Sequence, residues 1–218
     1  MKGKIKIALI DGLPYCIPKG VKVFYLPEIS YPWDSELFGV PEFRNHGKKM
    51  LKIIADENPK ADVILYPFYP KFKSVFKNYQ LLAISIFHAV NAGCQIISMA
   101  LEVLGAKYLS AEMLKAYRYA YENKVIICVS AGNNNPLNNP LIHKKYTLPI
   151  IGLTKKGKIP EKYINNDSNL KFCYGIYGGD INFNSLENER VSCSIATARF
   201  SSNAFLYLSK KENYFISI

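Results

Sequence analysis

The sequence predicts an α/β fold, three layers in α/β/α order around a mostly parallel sheet. Short apolar runs of strand length alternate with helix-period segments along the chain, the pattern of a parallel sheet covered on both faces. The strand-like runs are close to continuously apolar, as burial on both faces requires. The 218 residues are 49% hydrophobic, enough for one sizeable core, so residues 1–218 read as a single domain.

The elements follow in order. "KIKIALID" (4–11) is the first buried strand and "VKVFYLP" (21–27) the second. In "HGKKMLKIIADEN" (46–58), Met50, Leu51, Ile53 and Ile54 share one side, giving a short helix that stops before Pro59 because a residue ahead of proline is driven out of helical geometry. "ADVILYPF" (61–68) is a strand, and the helix "YQLLAISIFHAVNAG" (79–93) closes on Gly93. "CQIISMAL" (94–101) is again a strand. Ser110 then caps the helix "AEMLKAYRYAYENK" (111–124), with Glu112 in its first turn. "VIICVSAG" (125–132) is a strand that runs into the loop "NNNPLNNP", while "TLPIIGLT" (147–154) and "KFCYGIYGGDINF" (171–183) are later strands or hairpins. A final helix begins near Ser194 and runs to about Lys210. No internal repeat or low-complexity linker interrupts the series.

Composition narrows the destinations. Lys and Arg number 28 against 17 Asp and Glu, a formal charge of +11, which favours an acidic partner through long-range attraction. The lysine pairs Lys48-Lys49, Lys144-Lys145, Lys155-Lys156 and Lys210-Lys211 are scattered, and no nucleic-acid-binding motif organises them. Cys16, Cys94, Cys128, Cys173 and Cys193 are odd in number, lack metal-site spacing and lie mostly in apolar runs. They read as reduced, packed thiols in a cytoplasmic protein. The start "MKGKIKIALIDG" has too short an apolar run for a secretory signal, and no stretch approaches the roughly 20 apolar residues of a membrane span. His88 and His143 lack metal-ligand spacing and there are no acidic calcium-type loops. Neither a metal nor a cofactor is therefore expected.

In this architecture ligands bind at the C-terminal ends of strands. Asp11 follows the first strand, His46 begins a helix and Ser194 begins the last one. Each has an ordinary structural reading on its own: aspartates cap turns, helix-start histidines face solvent, and serine is a common N-cap. Together they run Asp, His, Ser, the order of the subtilisin triad. Their flanks agree. "IALIDG" resembles the strand and turn that carry the subtilase aspartate, and "HGKKMLKII" resembles the family's His-Gly-x-x-x-x-x-Ile helix. "AISIFHAVNAGCQIISMAL" is similar to its helix and substrate-edge strand, "VIICVSAGN" to its oxyanion segment, and "SCSIATA" to its Gly-Thr-Ser-x-Ala-Thr-Pro motif. The resemblance is to the subtilisin-like serine peptidases (peptidase family S8), in a compact intracellular type, and covers most of residues 4–210.

That resemblance implies a subtilisin-like fold and a serine endopeptidase. A serine hydroxyl is a poor nucleophile at neutral pH, so an imidazole must take its proton as attack occurs. His46 is implied as that base, Asp11 as the group that fixes its tautomer, and Ser194 as the nucleophile. Asn133 and the Ser194 N–H would hold the oxyanion at the positive end of a helix. Ala100, Leu101 and Glu102 would form the edge on which an extended peptide lies, with Ser130 and Gly132 also at the substrate. Small cytosolic subtilases often remove acidic leaders from ribosomally made peptides, so an acidic peptide or protein substrate suits the charge.

Three departures stand beside the resemblance. Ser192 replaces the family's glycine, Cys193 its threonine and Ala198 its proline, at positions where backbone strain matters. Cys193 is also an alternative nucleophile, though no base is aimed at it. Ala100, Leu101 and Glu102 replace Ser-Leu-Gly; Glu102 either narrows the groove, selects a basic side chain or pairs with Lys107 in solvent. The sequence as it stands shows none of the family's usual signal or pro-segment and is short for a secreted subtilase, the expectation being an intracellular enzyme that needs no self-cleavage; a chain trimmed from a longer protein would read the same. Two other classes remain: an inactive peptide-binding module that keeps the fold, in which the small residues after Ser192 serve only close packing, and a basic nucleic-acid-binding α/β protein.

Overall fold

The first apolar run forms β1 (Lys6–Asp11), and the second shortens to β2 (Lys22–Val23). A computed structural model describes residues 4–25, 41–68, 75–103, 108–133, 139–161, 173–179 and 191–209. Within them follow α1 (Pro41–Glu57), β3 (Asp62–Pro67), α2 (Val75–Asn91), β4 (Ile96–Met99), α3 (Ala111–Glu122), β5 (Ile126–Ser130), β6 (Leu148–Leu153) and β7 (Tyr174–Tyr177). The last described elements are α4 (Cys193–Ser202) and α5 (Ala204–Ser209). The seven strands form one sheet in the order β2-β3-β1-β4-β5-β6-β7, and every pairing is parallel. The α/β/α fold class stands.

Alternation along the strands builds the two outer layers. Ala8, Ile10, Ile97 and Val129 pack with Leu82 and Ile86 of α2 and Met113 and Tyr117 of α3. Ile7, Leu9, Ile96 and Cys128 face the other way, against Met50, Ile53 and Ile54 of α1 and Ala196 and Phe200 of α4. Each fully buried Leu or Ile removes enough apolar surface to contribute about 1.5–3 kcal/mol, which fixes both layers on the sheet.

Three sequence expectations change and one alternative is resolved. α1 begins at Pro41, so His46 lies in its second turn and not at its start; a proline with preset φ and no N–H suits a first helical position. α2 likewise begins earlier, at Val75. "TLPIIGLT" and the Tyr/Gly-rich segment pair in parallel, Ile151 opposite Gly175, so they are sheet strands and not a hairpin. The last helix breaks at Asn203, where φ −130° and ψ 25° leave helical geometry and the Asn203 N–H bonds to the Phe200 carbonyl. Ser110 caps α3 as expected, its hydroxyl accepting from the Met113 N–H at 3.2 Å. All five cysteines are free thiols; Cys16 is exposed and the other four are buried. No helix among the described residues is long and apolar enough to cross a membrane.

This topology sets a switch point in the sheet. From β1 the chain builds β2 and β3 on one side, then crosses to β4 on the other. The carboxyl ends of β1 and β4 therefore flank a point where strand order reverses, where open α/β sheets bind ligands.

Candidate active site

Asp11 is the last residue of β1 and, two positions on from Leu9, faces the α1 layer. It is buried, and its Oδ1 accepts from the Gly12 N–H at 2.7 Å and meets His46 Nδ1 at 2.8 Å. An ionised carboxylate only accepts, so Nδ1 carries the proton and Nε2 is left with its lone pair for base chemistry. Burial disfavours the imidazolium of His46, but the charge of Asp11 and its hydrogen bond outweigh that, while Lys49 opposes them. The net effect holds His46 above its ordinary 6.5.

The glycine after His46 has a specific cause. A Cβ on Gly47 would lie 1.8 Å from the Gly12 carbonyl oxygen, backbone against backbone. Only glycine lets α1 settle on the turn that follows Asp11, and that approach brings the imidazole to the carboxylate.

Ser194 is the second residue of α4 and is buried. The N-cap is Ser192, in extended geometry (φ −122°, ψ 127°), but its hydroxyl makes no capping bond. A distant residue caps instead: Asn133 Oδ1 accepts from the Cys193 N–H at 2.8 Å. This fixes the amide and leaves its Nδ2 donors without a partner among the described residues. The Ser194 N–H, in the first turn, has no intrahelical acceptor. Two donors are thus available at the positive end of one helix.

The Ser194 hydroxyl donates to the carbonyl of Ala100 at 3.0 Å. Leu9 of β1 lies opposite Ser98 of β4, and Asp11 and Ala100 each stand two residues further along their chains. The structure therefore joins Asp11 to His46 and sets the Ser194 hydroxyl on the segment that follows β4. It draws no hydrogen bond between His46 and Ser194.

The remaining sequence-named residues differ in exposure. Ala100 is buried, Leu101 half-buried and Glu102 exposed; Lys107, its sequence-stated partner, lies outside the described residues. Ser130 ends β5 and its hydroxyl accepts from the Gly132 N–H at 3.4 Å. Gly132 holds φ 105°, left-handed geometry that suits glycine. Its carbonyl accepts from the fully buried Cys193 thiol at 3.0 Å, so that sulfur is engaged in packing. His88 bonds to the Tyr66 hydroxyl through Nδ1 at 3.0 Å and stacks on Phe24, away from this site.

Sequence reading missed the glycines that seat the entry to α4. A Cβ on Gly178 would stand 2.6 Å from the Ser192 carbonyl oxygen, and one on Gly152 would stand 2.5 Å from Val191 Cγ1. The available signal was glycine inside a strand pattern, which marks close backbone approach. Arg199 was also missed: its Nη1 donates to the carbonyls of Tyr177 and Gly179 at 2.9 and 3.0 Å, and Nε reaches Glu57 at 3.2 Å. It ties α4 to β7 and to the end of α1.

No protein-family model matches the chain, and no curated protein matches its sequence. Solved structures do. The prenylagaramide maturation protease PagA superposes with TM-score 0.66 at 20% identity, covering 98% of this chain and 80% of its own. The patellamide maturation protease PatA gives TM-score 0.68 at 22% identity, with 97% and 81% covered. A lanthipeptide protease gives 0.61 at 14%, with 97% and 77% covered. The fold is that of the subtilisin-like proteases.

Proposed function

We propose that this subtilisin-fold chain is a serine endopeptidase that cleaves an extended, acidic peptide, and that the substrate is the leader of a ribosomally made peptide. The observation that carries the reading is the 2.8 Å Asp11–His46 bond at the sheet's switch point, with the Ser194 hydroxyl held by Ala100 just beyond the end of the neighbouring strand β4. Structural neighbours that are peptide maturation proteases support it.

The chemistry follows from the groups present. In this reading the Ser194 hydroxyl leaves the Ala100 carbonyl and takes His46 Nε2 as its acceptor. As Oγ attacks the scissile carbonyl carbon, Nε2 takes its proton and Asp11 stabilises the resulting imidazolium. The carbonyl oxygen becomes an oxyanion held by the Asn133 amide and the Ser194 N–H. Collapse of the tetrahedral intermediate breaks the C–N bond, and His46 returns the proton to the leaving amine. Water, deprotonated by His46, then hydrolyses the acyl-enzyme. The freed Ala100 carbonyl is available to an N–H of the peptide laid along the 100–102 edge.

The charge of +11 favours acidic peptides through long-range attraction to the whole molecule. The decisive test is labelling by a fluorophosphonate, expected for the native chain and absent in Ser194→Ala. Cleavage of acidic peptides is expected to exceed that of neutral ones and to weaken with salt; equal, salt-insensitive rates remove the acidic preference. A second reading, an inactive peptide-binding module, is favoured by the Ser194 hydroxyl resting on Ala100 and not on His46. Peptide binding without labelling selects it.

A further inference from the structure

We infer that Asn139, which no part of the proposed mechanism uses, is a positioning residue that holds the peptide-binding edge at a fixed separation from β5. The inference rests on the proposed peptidase reading and deepens it.

The paired part of β4 and β5 ends at Met99 and Val129. Beyond it the chains at Leu101 and Ser130 have no ladder bond to keep them together. Asn139 spans that gap. It is buried at 2% exposure, and its Nδ2 donates to the Leu101 carbonyl at 3.0 Å and the Ser130 carbonyl at 2.8 Å. Its Oδ1 accepts from the Leu141 N–H at 3.1 Å, so the amide is held by three bonds and cannot turn. Both side-chain protons serve the two walls, one on each, so a single planar group sets their spacing.

The clamp has a consequence for the edge. It pins the Leu101 carbonyl toward β5, while the carbonyl of the preceding Ala100 accepts from Ser194. Asn139 thereby fixes which peptide groups of the edge are offered to a substrate, and keeps the exposed Glu102 at a set distance from the nucleophile. A buried carbonyl that loses its donor is costly, so without the clamp the edge rearranges to find other partners.

The test compares a long and a minimal substrate. Asn139→Asp keeps the volume and the acceptor for Leu141 while removing both donors; Asn139→Ala removes the whole group. For either variant the KM of a peptide that occupies several residues on the acyl side is expected to rise about tenfold. Fluorophosphonate labelling of Ser194 and turnover of a single-residue ester are expected to stay within about twofold, because neither needs the edge. Equal losses on both substrates assign Asn139 to general stability and overturn the inference, as does no change on either. Absence of labelling in the native chain overturns the peptidase reading itself, and the inference with it.

Discussion

The two halves of the site are built to different standards of readiness. On the β1 side, Asp11 and His46 are already bonded, pressed together by the Gly12–Gly47 approach and needing no movement to act. On the β5 side, Asn133 is locked by the Cys193 N–H, yet the nucleophile rests on the Ala100 carbonyl. On the proposed peptidase reading, the acid–base half is a finished contact between a strand end and a helix, while the nucleophilic half has still to exchange its partner. On that reading the substrate edge and the nucleophile share one carbonyl, so a peptide that takes the Ala100 oxygen also releases Ser194.

The largest break in that comparison is Asp11→Asn. The amide can present a donor to Nδ1, favouring the wrong tautomer, and the expected fall in kcat is about 10⁴, the size seen when a triad aspartate is so replaced. Fluorophosphonate labelling falls with it, although Ser194 is untouched. On the other half, Asn133→Ala removes both an oxyanion donor and the cap on α4. Loss of one such donor costs about 10²–10³ in kcat, and loss of the cap about 1 kcal/mol of stability. A kcat loss without KM change is the expected pattern; a pure KM effect assigns Asn133 to ground-state binding.

Gly47→Ala sharpens the comparison from the backbone. Alanine in a helix interior gains about 0.5–1 kcal/mol over glycine. Here that gain opposes a Cβ placed 1.8 Å from the Gly12 oxygen, an overpacking that costs typically about 1–3 kcal/mol. The steric term wins, and the relief is a shift of α1 away from Asp11. Thermal unfolding is expected at lower temperature and kcat to fall, with the Asn133–Cys193 contact intact. Unchanged stability and activity show that the close approach does not position His46.

Much of the fold was legible in the sequence because its strands are buried on both faces. "KIKIALID", "ADVILYPF" and "VIICVSAG" are apolar runs that read as strands whatever surrounds them. Ser110 was legible as a cap because its partner, Met113, is three residues away. What failed depended on contacts between distant segments. α4 is buried almost all round, so it carries no amphipathic period to mark its end at Asn203. Within the site, Asp11, His46 and Ser194 could be named from their order, and Asp11–His46 is the contact the structure draws. Asn139, Gly152 and Gly178 act through backbone atoms of other segments, and nothing local in "NNNPLNNP" separates Asn139 from its neighbours.

The smallest effect is one of pH, and it separates the forces on His46. Catalysis needs the neutral ring, so kcat/KM is expected to fall with acid through a value above the ordinary 6.5. Asp11 raises that value and Lys49 lowers it. Residual activity in Asp11→Asn is therefore expected to have its acid limb at lower pH, where burial and Lys49 act unopposed, and Lys49→Gln to move it higher. Stability runs the opposite way. A histidine whose folded value is raised contributes stability that is complete below its unfolded value and is lost as pH rises through the folded one. Between those two values the Asp11–His46 pair loses its stabilising charge as the ring becomes competent to act as a base. Unfolding midpoints that decline across the interval in which activity climbs, and that stop doing so in Asp11→Asn, tie both trends to the one bond. Limbs that shift in the same direction in both variants assign the titration to another group.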